Sequence, residues 1–75
     1  MKLYNAIEIG KNEIIRILTN KNDIIFEEIY NSFDTITYPH NIKSCLKECL
    51  WELNHLHKIT FIDEEINSNT VIHLI

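Results

Sequence analysis

The sequence predicts an α+β domain, mainly α-helical, in which three helices precede two β-strands. Apolar residues recur every three or four positions through much of the chain, which is typical of amphipathic helices. The chain's one proline, Pro39, precedes the strongest such stretch, and proline is favoured in the first turn of a helix. Two short apolar runs near the C-terminus, separated by turn residues, indicate strands. With 75 residues, the chain is expected to form a single domain, residues 1–75.

The first half of the chain is predicted to contain two short helices. Residues 1–9 alternate as in a strand but also place apolar residues one helical turn apart, so this N-terminal arm is ambiguous. Gly10 is expected to interrupt the chain, and residues 12–20 are expected to form the first helix. Residues 24–26 fit either a short strand or the entrance of the second helix, which is predicted over 26–33.

The third helix, predicted over residues 40–58, has the clearest pattern. When successive side chains are placed about 100° apart, one stripe contains Ile42, Leu46, Cys49, Leu50, Leu53, Leu56 and His57. No glycine follows this helix, so we expect either that Asn54 adopts a left-handed conformation or that the helix continues for another turn. Strands are predicted over 59–63 and 70–75, with 64–69 as the tip of a hairpin.

The junction between the third helix and the next strand is similar to one in a known family. The pattern Leu50-x-x-Leu53-x-x-Leu56-x-Lys58-Ile59-x-Phe61-Ile62 resembles the junction between recognition helix and wing in winged helix-turn-helix domains. The segment from Phe26 through Phe33 to Pro39 is similarly placed to that family's second helix and turn. The resemblance covers about residues 11–75. It implies a three-helix winged helix-turn-helix fold whose wing is a C-terminal two-stranded β-hairpin.

The resemblance also implies a small DNA-binding regulator of transcription that acts on double-stranded DNA. The third helix, about residues 40–58, would be the recognition helix in the major groove. Short polar side chains near its start would reach base edges, while lysines would contact phosphates. The candidate DNA-binding residues are His40, Asn41, Lys43, Ser44, Lys47 and Lys58.

The charge distribution argues against strong DNA binding by a single copy. The net charge is −4, and Asp63, Glu64 and Glu65 give the predicted wing an acidic character unsuited to phosphate. Glu48 is central on the polar face of the third helix, where it would repel phosphate unless it accepts from a cytosine amino group. We expect a homodimer if DNA is the ligand, because dimerisation doubles the lysine contacts. The same polar pattern is also typical of any solvated helix face.

The alternative is a winged helix that binds another protein in a transcription, replication or host-interaction complex. A lone tryptophan on the outer face of a helix either packs beneath the hairpin or serves as a docking residue. If Trp51 is exposed, it forms an acidic and aromatic patch with its neighbours on the helix. The candidate protein-interaction residues are Glu48, Trp51, Glu52 and His55.

Several other classes of protein are not expected. No apolar run approaches the ~18–20 residues of a membrane span, and the N-terminus lacks a signal-peptide core, so we expect a cytoplasmic protein. Cys45 and Cys49, four residues apart on one helix, are poorly placed for a disulfide. A zinc site formed by them with His55 or His57 would lack paired Cys-x2-Cys spacing. We find no catalytic motif, and we expect no enzyme activity, cofactor, metal or small-molecule substrate.

Overall fold

The computed structural model describes residues 3–34 and 41–75, with side chains described from residue 6 onward in the first helix. Within these ranges the chain forms three helices and a three-stranded antiparallel sheet, which confirms an α+β fold that is mainly helical. In chain order the elements are α1 (Leu3–Lys21), β1 (Asp23–Ile25), α2 (Phe26–Asn31), α3 (Ile42–His55), β2 (Ile59–Thr60) and β3 (Val71–Leu74). None of the described helices combines the length and apolar character that a membrane span requires.

The first helix is longer than predicted, and the prediction that Gly10 interrupts the chain is wrong. Gly10 lies inside α1, on a buried face that also contains Ala6, Ile14, Ile17 and Leu18. A Cβ atom built on Gly10 would lie 2.7 Å from the Sγ atom of Cys49 in α3. Glycine therefore permits close packing between α1 and α3, and this packing outweighs the roughly 1 kcal/mol that glycine costs inside a helix.

The second helix follows β1 directly and is shorter than predicted. Strand β1 ends at Ile25 and α2 begins at Phe26, so both interpretations of residues 24–26 are correct in part. Helix α2 ends at Asn31, whereas Phe33, two residues farther along, is fully buried. The aromatic ring of Phe33 thus belongs to the core even though its backbone has left the helix.

Helix α3 is also shorter than predicted, because it ends in a Schellman motif. The N–H of Lys58 donates to the carbonyl of Leu53 at 3.0 Å, and the N–H of His57 donates to that of Asn54 at 3.0 Å. The left-handed residue is His57, with φ of 60°, and the expectation for Asn54 is wrong. Leu56 and His57 are both exposed although their spacing predicted burial, and both lie beyond the last helical residue, His55.

The sheet has three strands in the order β1–β3–β2, where the sequence predicted a two-stranded hairpin. Strand β3 is central: Ile72 pairs with Ile24 of β1, and Leu74 pairs with Ile59 of β2. The two-stranded prediction is wrong because it considered only the partner that is close in sequence. A hairpin alone is marginally stable in water, and β1 supplies the third strand.

The chain between β2 and β3 is a folded loop rather than the tip of a ribbon. Strand β2 contains two residues, so the predicted strand 59–63 ends early. The buried hydroxyl of Thr70 donates to Asp63 Oδ2 at 2.6 Å and accepts from the N–H of Asn67 at 2.9 Å. The carbonyl of Thr70 accepts from the N–H of Phe26 at 2.9 Å, which ties the loop to the start of α2.

The inner face of α3 belongs to the same hydrophobic core as α1 and the sheet. Its buried residues are Ile42, Cys45, Leu46, Cys49, Leu50 and Leu53. Five of these six are on the predicted stripe, so the orientation of α3 is confirmed. The opposite face is exposed and carries residues that the sequence assigned to function.

Candidate functional site

The exposed face of α3 divides into two surfaces that follow one another along the helix. The first, which we call the α2–α3 groove, is lined by Phe26, Glu27, Tyr30, Asn31, Lys43, Ser44, Lys47 and Ser68. The second, which we call the tryptophan patch, is lined by Glu48, Trp51, Glu52, His55 and Leu56. Three candidate DNA-binding residues, Lys43, Ser44 and Lys47, therefore line the groove, and all four candidate protein-binding residues line the patch toward the C-terminal end of α3.

The α2–α3 groove has a volume of about 590 Å³ and brings together Lys43, Ser44 and Lys47. Lys43 is half-buried, and its Nζ atom lies 4.4 Å from the centroid of the Tyr30 ring in a cation–π contact. The hydroxyl of Ser44 donates to the carbonyl of Asn41 at 2.9 Å. Lys47 is exposed, so its ammonium is accessible to an anionic ligand.

The electrostatic surface of the groove is mixed rather than positive. The exposed carboxylate of Glu27 lines the groove together with Lys43 and Lys47. Glu48, also exposed, directly follows Lys47 on α3. A phosphate in this groove would therefore meet the Glu27 carboxylate as well as the lysines, which lowers the electrostatic attraction.

The remaining candidate DNA-binding residues do not line the groove. Lys58 is exposed but lies beyond the C-terminal end of α3. Asn41 is half-buried at the N-cap of α3, and its backbone carbonyl accepts the hydroxyl of Ser44. His40 lies outside the described residues.

The tryptophan patch is centred on Trp51, whose side chain is held in place but not covered. The indole packs edge-on against Phe61, with ring centroids 4.9 Å apart and ring planes at 75°. Trp51 is nevertheless 44% exposed. Leu56, at the C-cap of α3, is 53% exposed and lines the same depression of about 420 Å³. The two side chains therefore present an apolar surface to solvent.

Carboxylates border this apolar surface. Glu52 Oε1 accepts from Lys11 Nζ at 3.2 Å, and Lys11 Nζ also lies 3.0 Å from Glu8 Oε2. The hydrogen bond to Glu8, followed by that to Glu52, raises the pKa of Lys11 above its usual 10.5, so its ammonium stays charged. Glu48 is exposed on the same face. Within the described part of the chain, no lysine or arginine lines the patch.

Sequence reasoning missed the exposure of Leu56 and the ion pair between Lys11 and Glu52. Leu56 was assigned to the core because it follows Leu53 at helical spacing, and the available contrary signal was the polar residue on each side of it. Lys11 lies 41 residues before Glu52, and no local pattern connects the two side chains. Their contact depends on the packing of α1 against α3.

The two cysteines lie in the core as free thiols. The thiol of Cys49 donates to the carbonyl of Ile7 at 3.4 Å. Burial, with a smaller effect from Cys45, raises the pKa of the Cys49 thiol from 9.0 to about 12, so it remains protonated at neutral pH. Among residues 3–34 and 41–75, no group of three or more His, Cys, Asp and Glu side chains is placed to hold a metal ion.

Protonation of Cys49 predicts how stability changes in alkali. Because folding raises the thiol pKa, the folded state favours the protonated thiol. The stability that this preference contributes is intact below pH 9.0 and is lost as the pH rises toward about 12. Cys49→Ala lacks this titration. The unfolding free energy of the wild type minus that of Cys49→Ala, measured by urea denaturation, should therefore decrease above pH 9.0. A difference that stays constant or widens would contradict the prediction.

Comparison of the chain with protein-family models, curated proteins and solved structures found no match.

Proposed function

We propose that the chain is a protein-binding domain whose partner docks on the tryptophan patch. The observation that carries this proposal is the exposure of Trp51, which is fixed by Phe61 and adjoins exposed Leu56. A large aromatic side chain at the centre of an apolar surface with a polar border is typical of interaction hot spots. Because the contact with Phe61 orients the indole, binding would sacrifice little side-chain entropy.

We further propose that the domain is of the winged helix-turn-helix type. The order helix, strand, helix, helix, strand, strand supports this assignment, as does the outward-facing polar side of the third helix. The loop between β2 and β3 would then occupy the position of the wing. Its exposed Asp63, Glu64 and Glu65 favour a protein partner over a phosphate backbone.

Selection of random peptides displayed on phage is expected to yield binders that require Trp51. Peptides enriched on the wild-type protein should bind Trp51→Ala at least ~10-fold more weakly, because truncating a central aromatic anchor removes much of the binding energy. Affinity is measured by the fluorescence anisotropy of labelled peptides. Since Trp51 is the only tryptophan, its own emission gives a second measure of occupancy.

Val71→Ala is the matched control for this experiment. Val71 is 42% exposed and lies on β3, outside the tryptophan patch, so its truncation should leave peptide binding unchanged. Circular dichroism establishes that both variants are folded. Failure to recover any peptide that depends on Trp51, or equal losses in the two variants, would overturn the protein-binding proposal.

A second candidate function is DNA binding by a homodimeric transcriptional regulator. The observation that favours it is the convergence of Lys43, Ser44 and Lys47 on one groove at the start of α3. Such binding would weaken steeply with added salt, since each lysine–phosphate contact releases counterions from the DNA. The acidic residue Glu27 in the same groove makes DNA the less favoured ligand of the two.

Substituting Lys47 tests the DNA proposal directly. If α3 binds DNA, Lys47→Glu should abolish the salt-sensitive binding of a labelled duplex, measured by anisotropy at low and moderate salt. Lys21→Glu makes the same charge change at the end of α1, outside the α2–α3 groove, and should have a much smaller effect. Absence of duplex binding at low salt, or equal effects of the two substitutions, would reject DNA as the ligand.

A further inference from the structure

We infer that the segment bound by the tryptophan patch is positively charged and inserts at least one large apolar side chain beside Trp51. This inference rests on the proposed protein-binding function and adds the chemistry of the partner.

The border of the patch on α3 is negative. Glu48 and Glu52 both line it, and the described lining contains no lysine or arginine. Lys11 contacts Glu52, but it also pairs with Glu8 and therefore does not neutralise both carboxylates. Lys47, one helical turn before Trp51, lines the other groove. The excess of carboxylates would attract lysine or arginine side chains of a partner.

The loop after β2 adds further acidic residues that lie close in sequence to Phe61, the aromatic partner of Trp51. Phe61 contacts the indole, and the chain then passes through Ile62, which is 93% exposed. The next three residues, 63–65, are all acidic and all exposed. The Asp63 carboxylate accepts from buried Thr70, so Glu64 and Glu65 are the loop carboxylates that add to the general negative charge met by an approaching partner.

The centre of the patch is apolar and concave. Trp51 and Leu56 form its exposed apolar surface, and the depression of about 420 Å³ has room for a side chain such as leucine or phenylalanine. Burial of that side chain would supply the main attraction, because removing apolar area from water is favourable. Basic residues on either side of it would supply selectivity and rapid association.

Two other occupants fit the patch less well. A second copy of the chain, docked through the same surface around a two-fold axis, would bring Glu48 and Glu52 close to their own equivalents. Duplex DNA would be repelled by the same carboxylates, and the net charge of −4 adds to that repulsion. A basic protein segment avoids both the repulsion between carboxylates of two copies and the repulsion between carboxylates and phosphates.

The experiment compares two synthetic peptides of equal length that share leucines spaced three and four residues apart. The remaining positions are mainly lysine in one peptide and glutamate in the other. Titration of the intact protein, followed by Trp51 emission, should show that the lysine peptide binds at least ~10-fold more tightly. Glu48→Lys should reduce or reverse this preference. Glu27→Lys, the same charge change in the α2–α3 groove, should leave it largely intact.

The outcomes separate this inference from the proposed function. If the phage-selected peptides require Trp51 but the lysine peptide binds no better than the glutamate peptide, the partner chemistry is wrong and the protein-binding function stands. Equal effects of Glu48→Lys and Glu27→Lys would show diffuse attraction to an acidic protein and would also overturn the inference. If no peptide of any charge requires Trp51, the proposed function itself fails.

Discussion

Leu50→Ala is expected to lower the free energy of unfolding by about 2–5 kcal/mol, the usual range for removing a buried leucine side chain. Leu50 is fully buried on the inner face of α3. A domain of this size is typically stable by roughly 4–11 kcal/mol, taking 0.05–0.15 kcal/mol per residue. The substitution should therefore leave a substantial unfolded population at moderate temperature. Urea denaturation followed by circular dichroism measures the change.

Leu56→Ala provides the matched control, because it removes the same atoms from the same region of the chain. Leu56 is 53% exposed, so its truncation should change the free energy of unfolding by less than about 1 kcal/mol. It should instead weaken peptide binding at the tryptophan patch, which Leu56 lines. Similar losses of stability in the two variants would show that the described orientation of the helix end is incorrect.

Gly10→Ala is expected to destabilise the fold by about 1–2 kcal/mol, although alanine is the better helix former. The added methyl group would lie 2.7 Å from Cys49 Sγ, closer than the two atoms can approach without movement. The Cys49 side chain has little freedom to move, because it is fully buried and its thiol donates to Ile7. The cost of separating α1 from α3 therefore exceeds the gain in helix propensity.

A double-mutant cycle attributes this cost to the contact itself. In a Cys49→Ala background the obstructing sulfur is absent, so Gly10→Ala should become neutral or stabilising. Cys45→Ala removes a second buried thiol from the same helix and should give no such rescue, since Cys45 is not among the atoms nearest Gly10. If Gly10→Ala stabilises the otherwise unaltered protein, the close approach of α1 and α3 is refuted.

The candidate site was predictable where it depends on a single helix. Helical spacing placed Ser44, Lys47, Glu48 and Trp51 on the polar face of α3, and all four are exposed. The same spacing failed at Leu56, which lies one residue beyond the end of α3. Spacing also does not predict the α2–α3 groove, because part of its wall is supplied by α2 and by Ser68. The separation of the groove from the patch therefore became visible only in the fold.

The short β1 strand illustrates the same limit in the sheet. Two of its three residues, Ile24 and Ile25, lie within the possible strand predicted over 24–26, but their partner is β3, about fifty residues away. The sequence alone favoured pairing of the two C-terminal strands because they are neighbours along the chain. The observed order β1–β3–β2 places the C-terminal strand between the other two.

The amino-acid sequence by itself determined the mainly helical α+β class and the inward-facing stripe of α3, because helical periodicity is a local property. The tertiary structure decided that α1 continues through Gly10, where the absence of a side chain permits close packing against Cys49 of α3. It also decided how far Trp51 is covered, since that depends on Phe61 and the direction of the following loop. Contacts between residues distant in sequence leave no periodic signal, and these contacts set the shape and charge of the tryptophan patch.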